Sequence, residues 1–212
     1  QQGAQRLISP LDWGNTRRTF QGGLVRVKDE SQKTDIFWTR PIMVDARDYD
    51  TTDSSRSFAG AYHSFDAMGG GTADLFGLML DDDDQTYAGG SGTGDLEVYT
   101  IGGRYKAKAG DTDYEAWGAY QFGDYGEDDI GAYAWTLAVG HTFPNTPGSP
   151  RIGLDVDFAS GDDDPGDDDH GTFNQLFPLG HAYFGYLDLV GRQNIMDVSP
   201  NVAVKLDERT TA

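Results

Sequence analysis

The chain of 212 residues contains no cysteine, which excludes disulfide scaffolds, thiolate zinc sites and cysteine nucleophiles. Positive charge is scarce: Lys and Arg number 16 against 35 Asp and Glu, a formal net charge of −19 at pH 7. Such a surface repels phosphate backbones and carries no basic stripe to reverse that locally, so nucleic acid is excluded as a partner. Long apolar runs are missing too. The longest, 75–80 and 133–139, fall far short of the ~18 residues of a membrane helix. The chain opens Gln1-Gln2-Gly3 with no basic segment leading into an apolar one, so no signal peptide is visible. None of these absences bears against a transmembrane β-barrel, whose strands are short and apolar on one face only.

What the chain has in excess is glycine, 29 residues or about twice the usual share, together with 12 % Phe, Trp and Tyr. That pairing suits β-structure with close backbone approaches and aromatic bands. Segments with period-2 alternation recur, each closed by a cluster of Gly, Asp, Asn, Ser or Pro. The pattern predicts strands over 19–28, 34–44, 57–65, 74–81, 96–108, 113–122, 130–143, 151–159 and 198–206. Turn and loop chemistry fills 48–55, 69–71, 82–94, 109–112, 123–129 and 144–150. No stretch carries an apolar stripe of helical period, so the expected fold class is all-β.

The two faces of these strands differ. Over 130–143, Tyr133, Trp135, Leu137, Val139 and Phe143 oppose Ala132, Ala134, Thr136, Ala138 and Thr142. Over 151–159, Ile152, Leu154, Val156 and Phe158 oppose Arg151, Asp155 and Asp157. Over 113–122, Tyr114, Ala116, Tyr120 and Phe122 oppose Glu115, Trp117 and Gln121. A soluble sandwich alternates in the same way. Yet these strands exceed the usual ~5–6 residues, and several place Tyr, Trp or Phe near their ends, where the interfaces of a membrane barrel lie. On pattern alone, a membrane barrel and a secreted carbohydrate-binding sandwich both stand.

One region breaks the rhythm. Residues 161–197 hold the acidic run Asp162, Asp163, Asp164, Asp167, Asp168 and Asp169. A connection this long with its own apolar content is more often functional than a passive tether. It is the candidate gate or plug, with Phe173, Asn174, Phe177 and His181 as its residues. Its motifs are Gly161-Asp162-Asp163-Asp164-Pro165, then Gly171-Thr172-Phe173-Asn174-Gln175-Leu176-Phe177-Pro178, then Gly185-Tyr186-Leu187-Asp188-Leu189-Val190-Gly191-Arg192-Gln193-Asn194-Ile195. Together they resemble the alginate export family of bacterial outer-membrane β-barrels. The opening Gln5-Arg6-Leu7-Ile8-Ser9-Pro10-Leu11-Asp12-Trp13, with Asn15-Thr16 and Arg18-Thr19-Phe20, resembles the same family, as does Asp35-Ile36-Phe37 with Arg40-Pro41.

The resemblance implies an antiparallel transmembrane β-barrel in the bacterial outer membrane. It also implies that residues 1–212 are one segment, about half of a larger barrel, because family members have roughly twice the strands counted here. The ending Arg209-Thr210-Thr211-Ala212 lacks the terminal aromatic of such barrels, so both ends are expected to be truncated. The implied function is passive export or diffusion of an anionic polysaccharide, alginate-like, or of related anionic solutes, through a basic lumen. Outer-membrane lipid and lipopolysaccharide, and periplasmic export components, are the other implied partners.

A lumen that passes a polyanion should carry its cations opposite the apolar face of each strand. Arg26 and Lys28 oppose Val25 and Val27; Arg104, Lys106 and Lys108 oppose Ile101 and Tyr105; Arg151 opposes Ile152. Arg18 and Arg192 lie in the family-like motifs. Arg40 precedes Pro41, where a bulge is expected to shift the register. A guanidinium takes a sugar carboxylate bidentately, and a series of such sites allows passage without trapping. Arg–Asp pairs that merely stabilise a polar interior are the other reading of the same residues.

The acidic excess is concentrated at 81–84 and 162–169 and is read as solvated loops, whose charge stays clear of the lumen. Neither run matches the calcium-loop patterns, so no metal is expected. His63, His141, His170 and His181 lack ligand spacing, and neither a GxSxG elbow nor a P-loop occurs. Asp155 and Asp157 lie ~7 Å apart at Cα on one strand face, an ordinary spacing that needs no glycosidase role. Neither a cofactor nor an enzymatic activity is expected.

Overall fold

A computed structural model describes residues 2–14, 16–83, 94–164 and 166–205. Asn15, Asp84, Pro165 and the expected strand end at Leu206 lie outside the described residues. The alternating segments become nine long strands: β1 (Phe20–Lys28), β2 (Gln32–Met43), β4 (Arg56–Ala67), β5 (Gly71–Asp82), β6 (Leu96–Ala109), β7 (Thr112–Tyr125), β8 (Asp128–Thr142), β9 (Arg151–Ala159) and β11 (Ile195–Ala203). Two short ones join them, β3 (Thr51–Thr52) and β10 (Asp169–His170), with a 3-10 turn at Met68–Gly70 and one α-helical turn, α1 (His181–Phe184). The tight turns follow glycine: Gly110 and Gly126 both sit at φ 61, a left-handed conformation that costs a residue without Cβ nothing.

The nine long strands form one antiparallel meander in the order β1-β2-β4-β5-β6-β7-β8-β9-β11. Only β10 runs parallel to its neighbour, along Asp129 and Ile130 of β8, beyond the point where the β9 ladder has ended at Ala134. Among the described residues β1 and β11 do not pair, so the sheet is open and these strands close no barrel by themselves. The bulge expected at Pro41 is absent: the β1–β2 register runs unbroken from Lys28↔Lys33 to Phe20↔Pro41. Instead the partner on the other edge changes. β4 pairs with β2 only as far as Thr39, and β3 then takes over at Ile42 and Met43.

Unbroken register carries one side-chain parity across the whole sheet. One row reads Val27, Thr34, His63, Leu75, Gly103, Gly118, Trp135, Phe158, Met196. The adjacent row, on the other face, reads Lys28, Lys33, Ser64, Asp74, Arg104, Trp117, Thr136, Asp157, Asp197. The first face is apolar and open: Val27, Leu137 and Val198 are 66 %, 55 % and 54 % exposed. Its charged residues sit at one edge only, Arg40 on β2 and the aligned Asp81, Glu97, Asp124 and Asp129 on β5 to β8. Beyond them no Asp, Glu, Lys or Arg of the long strands takes this parity. On β7 the charge-free stretch runs from Thr112 to Phe122, about 33 Å at the usual rise. A strand tilt of about 40° reduces that to a band about 25 Å tall, the hydrocarbon height of an outer-membrane wall. Tyr99, Tyr120, Phe122 and Tyr133 fringe one side of the band, and Phe65, Tyr114 and Phe143 the other, in the manner of aromatic girdles.

The second face is covered by the chain itself. Residues 2–18 and the connection 160–194 pack against it. Leu7, Ile8, Phe173 and Phe177 join Phe37, Phe58, Phe76, Leu78, Val98 and Trp117 of the sheet in one buried core. Phe177 meets Phe58 edge-on at 4.9 Å and Phe20 at 5.0 Å.

Candidate functional site

The two covering segments are joined to each other and to the wall. Between themselves they form one parallel bridge, Ile8 to Phe177, in which Ser9 N donates to Phe177 O (2.8 Å) and Phe177 N to Leu7 O (3.0 Å); Leu179 N donates separately to Gln5 O (2.9 Å). To the wall the second segment is tied by Gln121 of β7. Its Nε2 donates to Asn174 O (2.8 Å) and its Oε1 accepts from Asn174 N (2.8 Å), so one side-chain amide satisfies both main-chain groups. Phe173 is wholly buried. The connection thus forms a covering element, here termed the plug, seated on the polar face, with β10 at its start. The residues from Ile195 on, expected to belong to it, form β11 instead.

Beneath the plug runs a chain of alternating charges. Asp74 of β5 meets Arg104 of β6 at 3.3 Å, Arg104 meets Glu115 of β7 at 2.8 Å, Glu115 meets Arg6 at 3.1 Å, and Arg6 meets Asp157 of β9 at 3.4 Å. Arg192 of the connection closes on the same Asp157. Tyr62 donates to Asp74 at 3.1 Å. Aromatic rings stack on the buried guanidiniums: Arg6 lies 4.0 Å from the Tyr183 ring centre, and Arg192 lies 5.2 Å from Trp117 and 5.0 Å from Phe184. Three cations and three carboxylates leave the chain formally neutral. Burial pulls the Arg192 guanidinium below its ordinary range and pushes the Tyr183 phenol above its own. A guanidinium nonetheless stays charged, so Arg192 acts by pairing and orientation.

The cations expected in a lumen divide into four groups. Lys28 and Lys106, with Lys108, are exposed on the polar face and make no ion pair among the described residues. Arg26 grips Asp35 with two bonds of 2.6 and 2.8 Å, and Arg151 grips Asp113 with bonds of 2.9 and 2.6 Å; Arg104 belongs to the buried chain. Arg18 and Arg192 hold the plug, Arg18 by donating to Ser9 O (3.2 Å) and Pro178 O (3.4 Å). Arg40 is apart from all of them: it takes the apolar parity and stacks 5.4 Å from Trp38, the posture of a long cation at a membrane interface. Lys106, Arg151 and Arg6 share a cavity of about 250 Å³ with Asp113, Asp155 and Asp197.

Sequence reasoning singled out the opening segment by its resemblance but not its place on the sheet, and so missed Arg6, because the segment has too little alternation to announce where it packs. Of the gate candidates, Phe173 and Phe177 are core, Asn174 is the wall anchor, and His181 stacks on Trp13 at 4.3 Å. Among the described residues no group of His, Asp or Glu is arranged to hold a metal.

A long-stranded antiparallel sheet with a charge-free apolar band on one face and a covered polar face has the pattern of an outer-membrane barrel wall. The sequence model of the alginate export family matches residues 1–212. The chain belongs to that family, and its membership points to alginate transport in the outer membrane rather than to enzymatic chemistry. No curated protein and no solved structure matched the chain.

Proposed function

We propose that this chain supplies part of the wall and the constriction of an outer-membrane channel that passively conducts an anionic polysaccharide, alginate or a related polyuronate. The observation that supports it most is the division of the sheet: a charge-free apolar band on one face, and free lysines with a seated plug on the other. The exposed face is lipid-sized in height, and no second sheet covers it among the described residues. Lys28, Lys106 and Lys108 present unpaired charge for sugar carboxylates, while Arg26, Arg104 and Arg151 are occupied by wall carboxylates. The plug is the gate, held shut by Gln121 and the buried ion pairs. Of the four connections at the acidic edge, those after Met43, Asp82 and Ala159 are long and 126–127 is a tight turn; at the other edge 29–31, 68–70 and 110–111 are short and 143–150 is longer. By the usual arrangement of such barrels the acidic edge faces outward and the opposite edge faces the periplasm.

Lys106→Ala with Lys108→Ala is the direct test, because removing these two cations uncovers no buried carboxylate. In the intact protein in planar bilayers, the double variant is expected to weaken block by an oligomannuronate several-fold. Unchanged block would remove these lysines from the path.

A further inference from the structure

The plug divides its aromatic residues between two jobs. Tyr183 and Phe184 turn to the wall, over Arg6 and Arg192. Trp13, His181 and Tyr186 turn away from it and meet one another. Trp13 and His181 stack at 4.3 Å with planes 17° apart, and Tyr186 meets His181 edge-on at 4.4 Å and 84°. His181 is the spacer, with Nδ1 3.5 Å from Asp188 Oδ2. Gly185, at φ 98, reverses the chain so that Tyr186 returns beside it. Trp13 covers His181 with one face yet stays 53 % exposed, and Tyr186 is 85 % exposed. Next to Trp13 in the same loop, Arg17 and Asp12 pair at 2.7 Å, both more than half exposed.

Large rings held in place by one contact and left open on the other face offer a binding surface. An aromatic face suits the C–H face of a pyranose, since the ring quadrupole attracts the positive edge of the sugar. We propose that Trp13 and Tyr186, set by His181, form a sugar-stacking platform on the plug. The ligand is a uronic acid polymer, and this rests on the channel reading above. Charge alone does not tell a polyuronate from any other polyanion; ring stacking does. It is also indifferent to which sugar of the chain arrives, as stacking of nucleobases on aromatic side chains is tolerant of sequence, so the polymer slides rather than docks.

The test compares two polyanions on the intact protein in planar bilayers: an oligomannuronate, which has rings to stack, and an oligoglutamate of equal charge, which has none. Trp13→Ala with Tyr186→Ala is expected to weaken oligomannuronate block several-fold and leave oligoglutamate block unchanged. Trp13→Phe with Tyr186→Phe, which keeps the ring faces, is expected to retain most of the block. Equal weakening for both polyanions would show that the rings only shape the plug, and no weakening for either would show that they lie off the path; each overturns the platform. A wild-type protein whose conductance ignores oligomannuronate would overturn the channel reading, and the platform with it.

Discussion

Asp157 receives two arginines from opposite ends of the sequence. Arg6 reaches it at 3.4 Å from the opening segment and Arg192 closes on it from the last connection, both nearly sealed from solvent. Taking either charge out of water is costly, and the pairing compensates only while every partner is present. Asp157→Asn leaves two cations facing each other across the plug. We expect a loss of about 3–5 kcal/mol, read from urea unfolding of the reconstituted intact protein. Arg17→Ala breaks a pair open to water on both sides and should change the same midpoint by no more than about 1 kcal/mol. A loss of equal size in both variants would refute the distinction between plug-bearing and surface pairs. At this scale the sequence reveals which side of a strand a cation occupies, because parity is local. It does not reveal whether the cation is free. Arg104 and Lys106 look alike in sequence; the register sets Arg104 opposite Asp74 but Lys106 opposite Glu115, and it is the guanidinium reaching diagonally that takes both carboxylates and leaves Lys106 unpaired among the described residues.

Strand β8 shows what alternation does to an element. Leu137 sits in the middle of the apolar band, while Ala138 lies in the row between Glu115 and Asp155. Leu137→Arg places a guanidinium in hydrocarbon and should cost about 2–4 kcal/mol of folding free energy in a bilayer. Ala138→Arg points the same group at two carboxylates and should remain within about 1 kcal/mol of wild type. Reversed costs would mean that the two faces have been assigned the wrong way round. The nine long strands were legible because each carries the alternation over many residues and ends in turn chemistry. β3 and β10, two residues each, are too short to have a period, and exist because a longer neighbour lacks a partner there. The plug was half legible. Its apolar content marked it as more than a tether, but its seat on Gln121 and its pairing with residues 5–9 are contacts between distant segments that no local period encodes.

The molecule as a whole carries its net charge of −19 unevenly. Acidic side chains line one rim and the loops beyond it, while the polar face beneath the plug is balanced pair by pair. The acidic runs were expected as solvated loops between strands, but Asp81 and Asp82 instead end β5, with Asp82 buried against Arg56; the balance beneath the plug was not legible either. The meander and the plug also differ in how far along the chain their contacts reach. Hairpins join neighbours, whereas the bridge at Ile8 and Phe177 closes nearly the whole length, and contacts at such separation form late. Refolding into bilayers should therefore show two phases, strand formation by circular dichroism and then protection of residues 171–179 from protease. Phe177→Ala, which empties the contacts with Phe20 and Phe58, should weaken the second phase and spare the first. A single phase in both readouts would refute this order. If the order holds and the covering segments stopper a pore as proposed, every newly inserted molecule spends its first moments unstoppered, and the tightness of the envelope during growth depends on how fast two distant stretches of one chain find each other.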